Sequence, residues 1–174
     1  MDRNQLADTI KQLSLIHGDF TLRSGARSIE YFDKYRFESR PDVLTAIAAH
    51  LAPLVPSNTD ALAGLELGGV PIATALSLHT GLPVLFVRKR AKDYGTRQLA
   101  EGGAVGGRRL LIIEDVITSG GQVVESCSAL RALGARVDDA ICVVDRAAGG
   151  SEALAVVNVT LRALFRREEI LSGV

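Results

Sequence analysis

The sequence predicts an α/β fold with a mainly parallel central sheet flanked by helices. Short apolar runs without polar alternation, such as Leu110–Ile113, are typical of strands that are covered on both faces. These runs alternate with segments whose apolar residues fall at helical spacing, and that alternation predicts parallel strands joined by helices. A chain of 174 residues can bury a substantial core, so we expect residues 1–174 to form a single domain.

The first 40 residues or so are expected to form a small N-terminal hood, or flap. Residues 3–16 carry apolar side chains at helical spacing and predict an amphipathic helix. Residues 19–37 predict two short β pieces and contain five of the chain's eight aromatic residues. Most of these aromatics are expected to pack within the flap, whereas Arg23 and Lys34 are candidates to face a ligand.

The rest of the chain alternates between predicted helices and strands. A helix is predicted over 41–54, with Pro41 in its first turn, where the missing N–H group is tolerated. A second helix is predicted at about 70–79, and a third ends at Leu133 before Gly134. Strands are predicted at 60–65, 83–87, 109–113, 140–144 and 156–161, with a last helix at 166–171.

The stretch Leu110–Gln122, which reads LLIIEDVITSGGQ, carries the strongest chemical signal. Two carboxylates, Glu114 and Asp115, follow the apolar run at the point where the strand is predicted to end. A hydroxyl pair and two glycines then precede a helix. Ligands of open α/β sheets bind beyond the carboxyl ends of the strands, and the free N–H groups of a helix start favour a phosphate.

The two acids cannot hold that phosphate, because like charges repel. They indicate hydroxyl groups or a cation, so a phosphorylated sugar whose diol faces the acids satisfies both halves of the stretch. An ordinary strand–loop–helix turn is the alternative. The sequence has no GxxxxGK[ST] motif and no GxGxxG motif after a strand, so the fingerprints of nucleoside triphosphatases and dinucleotide-binding domains are absent.

Residues 88–109 concentrate positive charge in a chain that has 20 basic and 20 acidic residues. Seven basic residues stand there against two acidic ones, and five glycines make the segment a poor helix. Beside a phosphate loop, we expect residues 88–107 to form a mobile cationic lid for a polyanionic ligand. A solvated charged loop is the alternative.

Composition excludes several classes of protein. The balanced charge gives no global field for nucleic acid or membrane surfaces, and no apolar run reaches the length of a membrane span. The start, MDRNQLADTI, lacks the architecture of a signal peptide, and Cys127 and Cys142 form no disulfide or metal-binding pattern. We therefore expect a cytoplasmic protein. We also expect surface or structural roles, and not catalytic ones, for His17, His50 and His79.

Several motifs resemble type I phosphoribosyltransferases. The two acids followed by TSGG resemble the family's motif for 5-phosphoribosyl 1-pyrophosphate (PRPP). RKRAKDYGT followed by EGG resembles the catalytic loop of orotate phosphoribosyltransferases, and DFTLRSG, SIEYF, GLELGGVPIATAL and VVDRAAGG are further matches. The resemblance implies a type I phosphoribosyltransferase fold that transfers the 5-phosphoribosyl group of PRPP to orotate. The products would be pyrophosphate and orotidine 5′-monophosphate, in pyrimidine (UMP) biosynthesis.

The resemblance also implies roles for individual residues. Lys92, Glu114 and Asp115 are the catalytic candidates, the two acids holding the ribose hydroxyls, and Thr118 and Arg146 contact orotate. The residues implied for PRPP are Arg23, Arg88, Lys89, Lys92, Tyr94, Glu114, Asp115, Val116, Ile117, Thr118, Ser119, Gly120, Gly121 and Gln122. Arg23 stands where many members have lysine. Gly68 stands where some bacterial members have lysine, so the contact made by that lysine must be absent here or supplied by another residue.

The cofactor implied by the resemblance is Mg²⁺, held mainly by PRPP and water rather than by protein ligands. The implied assembly is a homodimer that shares its catalytic loop across the interface, with no nucleic-acid or membrane partner. Two alternatives remain open. A transferase for a purine or another pyrimidine would keep residues 110–122 but not this loop together with DRxxGG. A regulator that only senses PRPP would not need Lys92.

Overall fold

The computed structural model describes residues 1–21, 25–91 and 98–172. A six-stranded sheet with helices on both faces forms the main body, and a two-stranded sheet stands beside it. The helices are α1 (Arg3–Ser14), α2 (Tyr35–Glu38), α3 (Pro41–Leu51), α4 (Gly69–Thr80), α5 (Gly121–Ala132), α6 (Gly150–Val156) and α7 (Arg167–Ser172). The strands are β1 (Leu15–Thr21), β2 (Arg27–Phe32), β3 (Ala61–Leu65), β4 (Val84–Val87), β5 (Ala100–Glu101), β6 (Arg109–Ile117), β7 (Arg136–Asp145) and β8 (Thr160–Arg166).

The large sheet has the strand order β5-β4-β3-β6-β7-β8. All neighbouring pairs are parallel except β4 and β5, which run antiparallel. The prediction of a mainly parallel sheet flanked by helices is therefore confirmed. The short strand Ala100–Glu101 lies inside the segment 88–107, so part of the expected catalytic loop is paired with the edge of the sheet.

Both faces of the sheet are covered, which explains the unbroken apolar run in β6. Leu111 and Ile113 pack on one face, against buried side chains that include Ile47 of α3 and Leu76 of α4. Leu110 and Ile112 pack on the other face, together with side chains of α5 such as Cys127 and Leu130. A strand buried on both sides has no solvent-facing position where a polar residue would be favoured.

The N-terminal hood (α1, β1, β2 and α2) forms as a unit around aromatic contacts. Helix α1 begins with a capping box in which Gln5 N–H donates to Asp2 Oδ1 over 2.9 Å. It ends at Ser14, two residues before the predicted end, because Leu15 already pairs with Phe32 in the antiparallel β1–β2 ladder. The ring centroids of Phe32 and Phe37 lie 6.4 Å apart, which joins the ladder to α2.

Other predicted boundaries are wrong for local reasons. The second β piece of the hood ends at Phe32, and Tyr35–Glu38 is helical instead. The apolar stretch predicted as a strand at 156–161 is split, since α6 continues to Val156 and β8 begins only at Thr160. Asn158 makes the turn between them with φ 55°, a left-handed conformation that asparagine tolerates better than most residues. Among the described residues, no helix is long and apolar enough to cross a membrane.

Candidate active site

The predicted site residues gather at the carboxyl edge of the large sheet. The loops that follow β3, β6 and β7 meet there, because parallel strands end at the same edge. Gln122 Nε2 donates to the Glu66 carbonyl oxygen over 3.1 Å, which ties the first two loops together. Arg146 N–H donates to the Ile117 carbonyl oxygen over 2.9 Å and ties in the third.

The loop after β6, here called the phosphate loop (Thr118–Gln122), presents its polar groups to solvent. Thr118, Ser119, Gly121 and Gln122 are exposed. Gly120 stands at the N-cap of α5 with φ +74°, and because it is a glycine it supplies no side-chain cap to the first N–H groups of the helix. An exposed start of a 12-residue helix is a suitable site for a phosphate.

Two residues of the predicted PRPP motif point elsewhere. The Ile117 side chain is 2% exposed and packs in the core on the α5 face of the sheet. Val116 is half-buried and lines a cavity on the hood side. These two residues therefore place the phosphate loop, and only their backbone is available to a ligand in that loop.

The two acids lie inside the strand rather than after it, which corrects the predicted end of β6. The ladder between β6 and β7 continues through the pair Ile117 and Asp145. Glu114 is only 7% exposed and Asp115 is 0% exposed. Strand β6 can continue to Ile117 because its buried carboxyl groups have partners within the protein.

Asp115 is engaged by the hood. The Lys34 ammonium lies 2.6 Å from Asp115 Oδ2, and the carboxyl group of Glu38 is close enough to act as a hydrogen-bond partner in setting the pKa of Asp115. Burial alone would raise the pKa of Asp115, but the hydrogen bond from Glu38 and the charge of Lys34 outweigh it, and the pKa is lowered. Asp115 is therefore ionised and paired in this structure.

The other two carboxyl groups of this cluster are held in their protonated form. Burial, followed by the hydrogen bond to Asp115 and its charge, raises the pKa of Glu38 to about 9. Burial and then the charge of Asp115 raise the pKa of Glu114 to about 9 as well. Three neighbouring carboxyl groups cannot all ionise in a buried site, so one negative charge and one ammonium ion remain.

Gly68 explains how Asp115 fits. A Cβ atom at position 68 would lie 1.6 Å from Asp115 Oδ2, so any side chain would displace this carboxylate. At Gly69, a Cβ atom would lie 2.2 Å from the carbonyl oxygen of Ile113. The close approach of the start of α4 to β6 thus requires both glycines, and Asp115 occupies the space above Gly68.

The basic residues that follow β4 stand at the same edge. Arg88 is half-buried, with its N–H group donating to the Leu99 carbonyl oxygen over 2.9 Å and its Nε atom 4.0 Å from Glu101 Oε1. Lys89 is exposed, and its backbone N–H donates to Glu66 Oε1 over 2.6 Å. The predicted residues Arg23, Lys92 and Tyr94 lie outside the described residues.

A cavity of about 600 Å³ adjoins the phosphate loop on the hood side. Thr118 and Arg146 both line it, so the structure brings together the two residues predicted to contact one substrate. Arg146 is exposed, and the neighbouring Asp145 carboxylate accepts the Ala147 N–H over 2.8 Å. The other lining residues are Leu15, Ser28, Glu30, Tyr31, Phe32, Lys34, Val116, Val144, Arg167, Ile170 and Leu171.

Comparisons with known proteins agree with this geometry. The family model "Phosphoribosyl transferase domain" matches residues 37–163. An orotate phosphoribosyltransferase from Nocardioides sp. is 51% identical over 165 residues, which cover 95% of this chain and 92% of that protein. The chain belongs to the orotate phosphoribosyltransferase family.

Solved structures of orotate phosphoribosyltransferases have the same fold. The Mycobacterium tuberculosis enzyme in complex with inorganic phosphate is 30% identical with a TM-score of 0.86, covering 97% of each chain. The same bacterium's enzyme in complex with PRPP is 29% identical with a TM-score of 0.84, covering 98% of this chain and 99% of that one. The predicted type I phosphoribosyltransferase fold is thereby confirmed.

Some residues of this orotate phosphoribosyltransferase site were missed in the sequence. Glu38 belongs to an unremarkable polar stretch, and nothing local predicts its contact with Asp115. Arg167 lines the cavity because α7 is held against α1, with Arg3 Nη2 2.6 Å from Glu169 Oε1. The basic pair Arg166 and Arg167, which stands where β8 ends at the carboxyl edge, was the available signal. Lys34, which the sequence made a candidate to face a ligand, lines the cavity, and its contact with a ligand stays a prediction.

Proposed function

We propose that this chain transfers the 5-phosphoribosyl group of PRPP to N1 of orotate, releasing pyrophosphate and forming orotidine 5′-monophosphate. The observation that carries the proposal is the junction at Thr118. This residue belongs both to the phosphate loop and to the cavity that contains Arg146. A sugar phosphate in the loop and a planar acid in the cavity would therefore meet at one point, as the reaction of this family requires.

The cavity suits an anionic planar base. Arg146 offers a planar guanidinium fork that can bind both oxygens of the orotate carboxylate. Lys34 and Arg167 add positive charge to the lining, while Tyr31 and Phe32 supply aromatic surface. A neutral base such as uracil or adenine would offer no carboxylate to Arg146, so the cavity favours orotate over the bases of related transferases.

PRPP fits the remaining groups. The free N–H groups and hydroxyls of the phosphate loop would hold the 5′-phosphate, and Arg88, Lys89 and Lys92 would face the pyrophosphate. Glu114 and Asp115 would hold the ribose hydroxyls. Because Lys34 already occupies Asp115 Oδ2, a ribose hydroxyl must replace its ammonium group there.

Catalysis in this proposal needs no protein nucleophile. The transition state has oxocarbenium character, and negative charge grows on the departing pyrophosphate. Basic groups such as Lys92 would stabilise that charge more strongly than they stabilise the ground state, which is what raises the rate. Closing of the segment 88–107 would exclude water. That closing stays a prediction, since residues 92–97 lie outside the described residues.

Mg²⁺ enters this proposal as part of the substrate, in a complex with PRPP and water. Among the described residues, no group of three or more His, Cys, Asp or Glu side chains is arranged to hold a metal ion. The carboxyl cluster at Asp115 holds the Lys34 ammonium instead. These residues therefore do not fit a resident metal centre.

The test is an absorbance assay of the purified protein with PRPP and Mg²⁺. We expect an orotate-dependent loss of absorbance and no reaction with uracil, adenine or hypoxanthine. Reaction with one of those bases and not with orotate would establish another transferase. Binding of PRPP without turnover of any base would instead support a PRPP-sensing regulator.

We also propose a cytoplasmic homodimer whose catalytic loop reaches the neighbouring active site. The two buried, unpaired cysteines Cys127 and Cys142 support a reducing compartment. If the site is shared, mixing inactive Lys92→Ala and Asp115→Asn variants and letting them re-associate should restore part of the activity. Unmixed variants are the control, and a mixture as inactive as they are would contradict a shared site.

A further inference from the structure

Glu38 is a buried acid beside Asp115, outside the cavity. It is the last residue of α2 in the hood and is 6% exposed. It does not line the cavity, so it cannot reach a bound base. Within residues 1–21, 25–91 and 98–172, no N–H or O–H group donates to its Oε1 atom. A buried carboxyl group without a donor is unfavourable unless it carries a proton of its own.

The partner that explains this arrangement is Asp115. Glu38 and Asp115 are neighbours in this buried cluster, close enough for each carboxyl group to shift the pKa of the other, and two ionised carboxylates there would repel each other. One proton between them turns the repulsion into a hydrogen bond. Glu38 carries that proton, because Lys34 stabilises the ionised form of Asp115, and the pKa of Glu38 is raised to about 9 by burial and by Asp115.

We propose that Glu38 is a positioning residue for PRPP, which holds the Asp115 carboxylate in place through a hydrogen bond while the ribose replaces Lys34. The inference rests on the proposed role of Asp115 in binding the ribose hydroxyls. Lys34 is suited to leave, because its side chain is 33% exposed and lines the cavity. Glu38 is buried and has no such freedom, so its hydrogen bond remains when the ammonium departs.

The remaining contacts of Asp115 would not hold it alone. Its Oδ1 atom accepts from the N–H group of the next residue, Val116. Glu114, which also acts on Asp115 as a hydrogen-bond partner, would turn to the ribose hydroxyls in the proposed reaction. Without Glu38, Asp115 would rotate when Lys34 leaves. The expected loss is in the use of PRPP and not in the binding of orotate.

Two variants separate the hydrogen bond from the shape of the side chain. Glu38→Gln keeps the size and offers an amide N–H donor to Asp115, whereas Glu38→Leu keeps the approximate volume and offers none. We expect Glu38→Gln to stay within about twofold of the wild type in kcat/KM for PRPP at neutral pH. Glu38→Leu should fall by about tenfold or more, the scale of a lost hydrogen bond to a charged group. The KM for orotate should change by less than about twofold in both variants, since neither side chain reaches the cavity.

The pH profile supplies a readout that a purely structural role would not move. Above the pKa of Glu38, about 9, the wild type gains a second negative charge beside Asp115, while Glu38→Gln does not. The ratio of kcat/KM for PRPP in Glu38→Gln to that in the wild type should therefore rise as pH passes about 9. The other charged groups that face Glu38 are Glu114 and Asp115 of β6 and Lys34 before α2. They are present in both proteins, so their direct titration largely cancels in the ratio.

The outcomes are distinct. A flat ratio, or equal PRPP kinetics for folded Glu38→Leu and Glu38→Gln, would overturn the role of Glu38. If Glu38→Leu does not fold, the pH ratio of Glu38→Gln decides alone. Asp115→Asn separates this inference from the proposed function. Unchanged PRPP kinetics in Asp115→Asn would overturn the role of Asp115 itself, whereas a loss there with no loss in Glu38→Leu would overturn the Glu38 inference only.

Discussion

The phosphate loop and the acid pair are neighbours in the sequence but stand in opposite states. Thr118, Ser119 and Gln122 are exposed, and the N–H groups at the start of α5 have no side-chain cap. Glu114 and Asp115 are 7% and 0% exposed, and Asp115 is paired with Lys34 of the hood. In the proposed reaction, the exposed phosphate loop is free to receive the phosphate, whereas the hood would have to give up its contact with Asp115 before the ribose could bind there.

This difference assigns separate tasks to two parts of the fold. The large sheet and α5 place the phosphate loop by themselves, through backbone pairing and buried side chains. The acid pair depends in addition on hood residues that come from a distant part of the sequence. Changes in the acid pair should therefore affect turnover with little change in the loop, and changes in the loop should leave the acid pair intact.

The largest expected effect is that of Glu114→Gln. Burial and the charge of Asp115 raise the pKa of Glu114 to about 9, so the variant replaces one neutral side chain by another at neutral pH. We expect the free energy of unfolding to change by less than about 1 kcal/mol. Glutamine keeps only one acceptor oxygen and cannot ionise when the ribose hydroxyls replace Lys34, so kcat/KM for PRPP should fall by about 100-fold.

The measurements for Glu114→Gln are steady-state kinetics and denaturant unfolding at neutral pH. Asp42→Asn is a suitable control, since Asp42 is paired with Arg40 on the exposed start of α3 and should affect turnover little. Wild-type kinetics in Glu114→Gln would show that the acid pair is a structural feature only.

A smaller effect is expected for Gly120→Ala in the phosphate loop. Gly120 has φ +74°, and a Cβ atom there would lie 2.8 Å from Leu154 Cδ1 and 3.1 Å from the carbonyl oxygen of Gly150. The strain should destabilise the fold by about 1–3 kcal/mol. It should also shift the start of α5 and raise the KM for PRPP by about tenfold, a change of about 1.4 kcal/mol in binding, with the KM for orotate little changed.

Gly121→Ala is the matched control, because a Cβ atom at position 121 meets nothing closer than Ser119 Oγ at 4.0 Å. Thermal unfolding should therefore separate the two alanine variants, with only Gly120→Ala clearly destabilised. Equal melting temperatures would show that the left-handed turn at Gly120 is not needed to place the phosphate loop.

The order of strand, loop and helix around Thr118–Gln122 was predicted well, because the information for it is local. A buried strand, two hydroxyls, two glycines and a helix follow each other along the chain, and the structure keeps that order. The resemblance implied that Thr118 and Arg146 contact the same substrate. The parallel pairing of β6 and β7 places both residues at one cavity. The ends of parallel strands can be predicted from the sequence, and because those ends meet at one edge of the sheet, they also predict where the site lies.

The ribose end was predicted less well, because its contacts come from residues distant in sequence. The strand was expected to end before Glu114, since carboxyl groups are disfavoured inside a buried strand. Lys34, Glu38 and the space above Gly68 remove that penalty, and none of them is adjacent to β6 in sequence. Periodicity cannot show that a buried acid has a partner elsewhere, so the extent of β6 and the burial of Asp115 followed only from the packed structure.

The smallest effect on turnover at neutral pH, and the clearest effect on stability, is expected for Glu38→Gln. The pKa of Glu38 is raised in the folded protein from its ordinary 4.5 to about 9, so unfolding releases a proton between those two pH values. The free energy of unfolding that Glu38 contributes therefore falls as pH rises through this window and is constant outside it. Glutamine has no such dependence, so the stability of Glu38→Gln relative to the wild type should increase from about pH 5 to about pH 9.

Glu169→Gln is the comparison variant for this pH dependence of stability, because the pKa of Glu169 is lowered in the folded protein whereas that of Glu38 is raised. A hydrogen bond from Arg166 N–H lowers the pKa of Glu169 below its ordinary 4.5, with Arg3 adding to the shift. Its contribution is present above that ordinary value and is lost only as pH falls below it. Denaturant unfolding should thus show a constant difference between Glu169→Gln and the wild type from about pH 5 to about pH 9, where the Glu38→Gln difference grows. Parallel behaviour of the two variants would mean that Glu38 is ionised in the fold, and that the acid pair meets the hood without a shared proton.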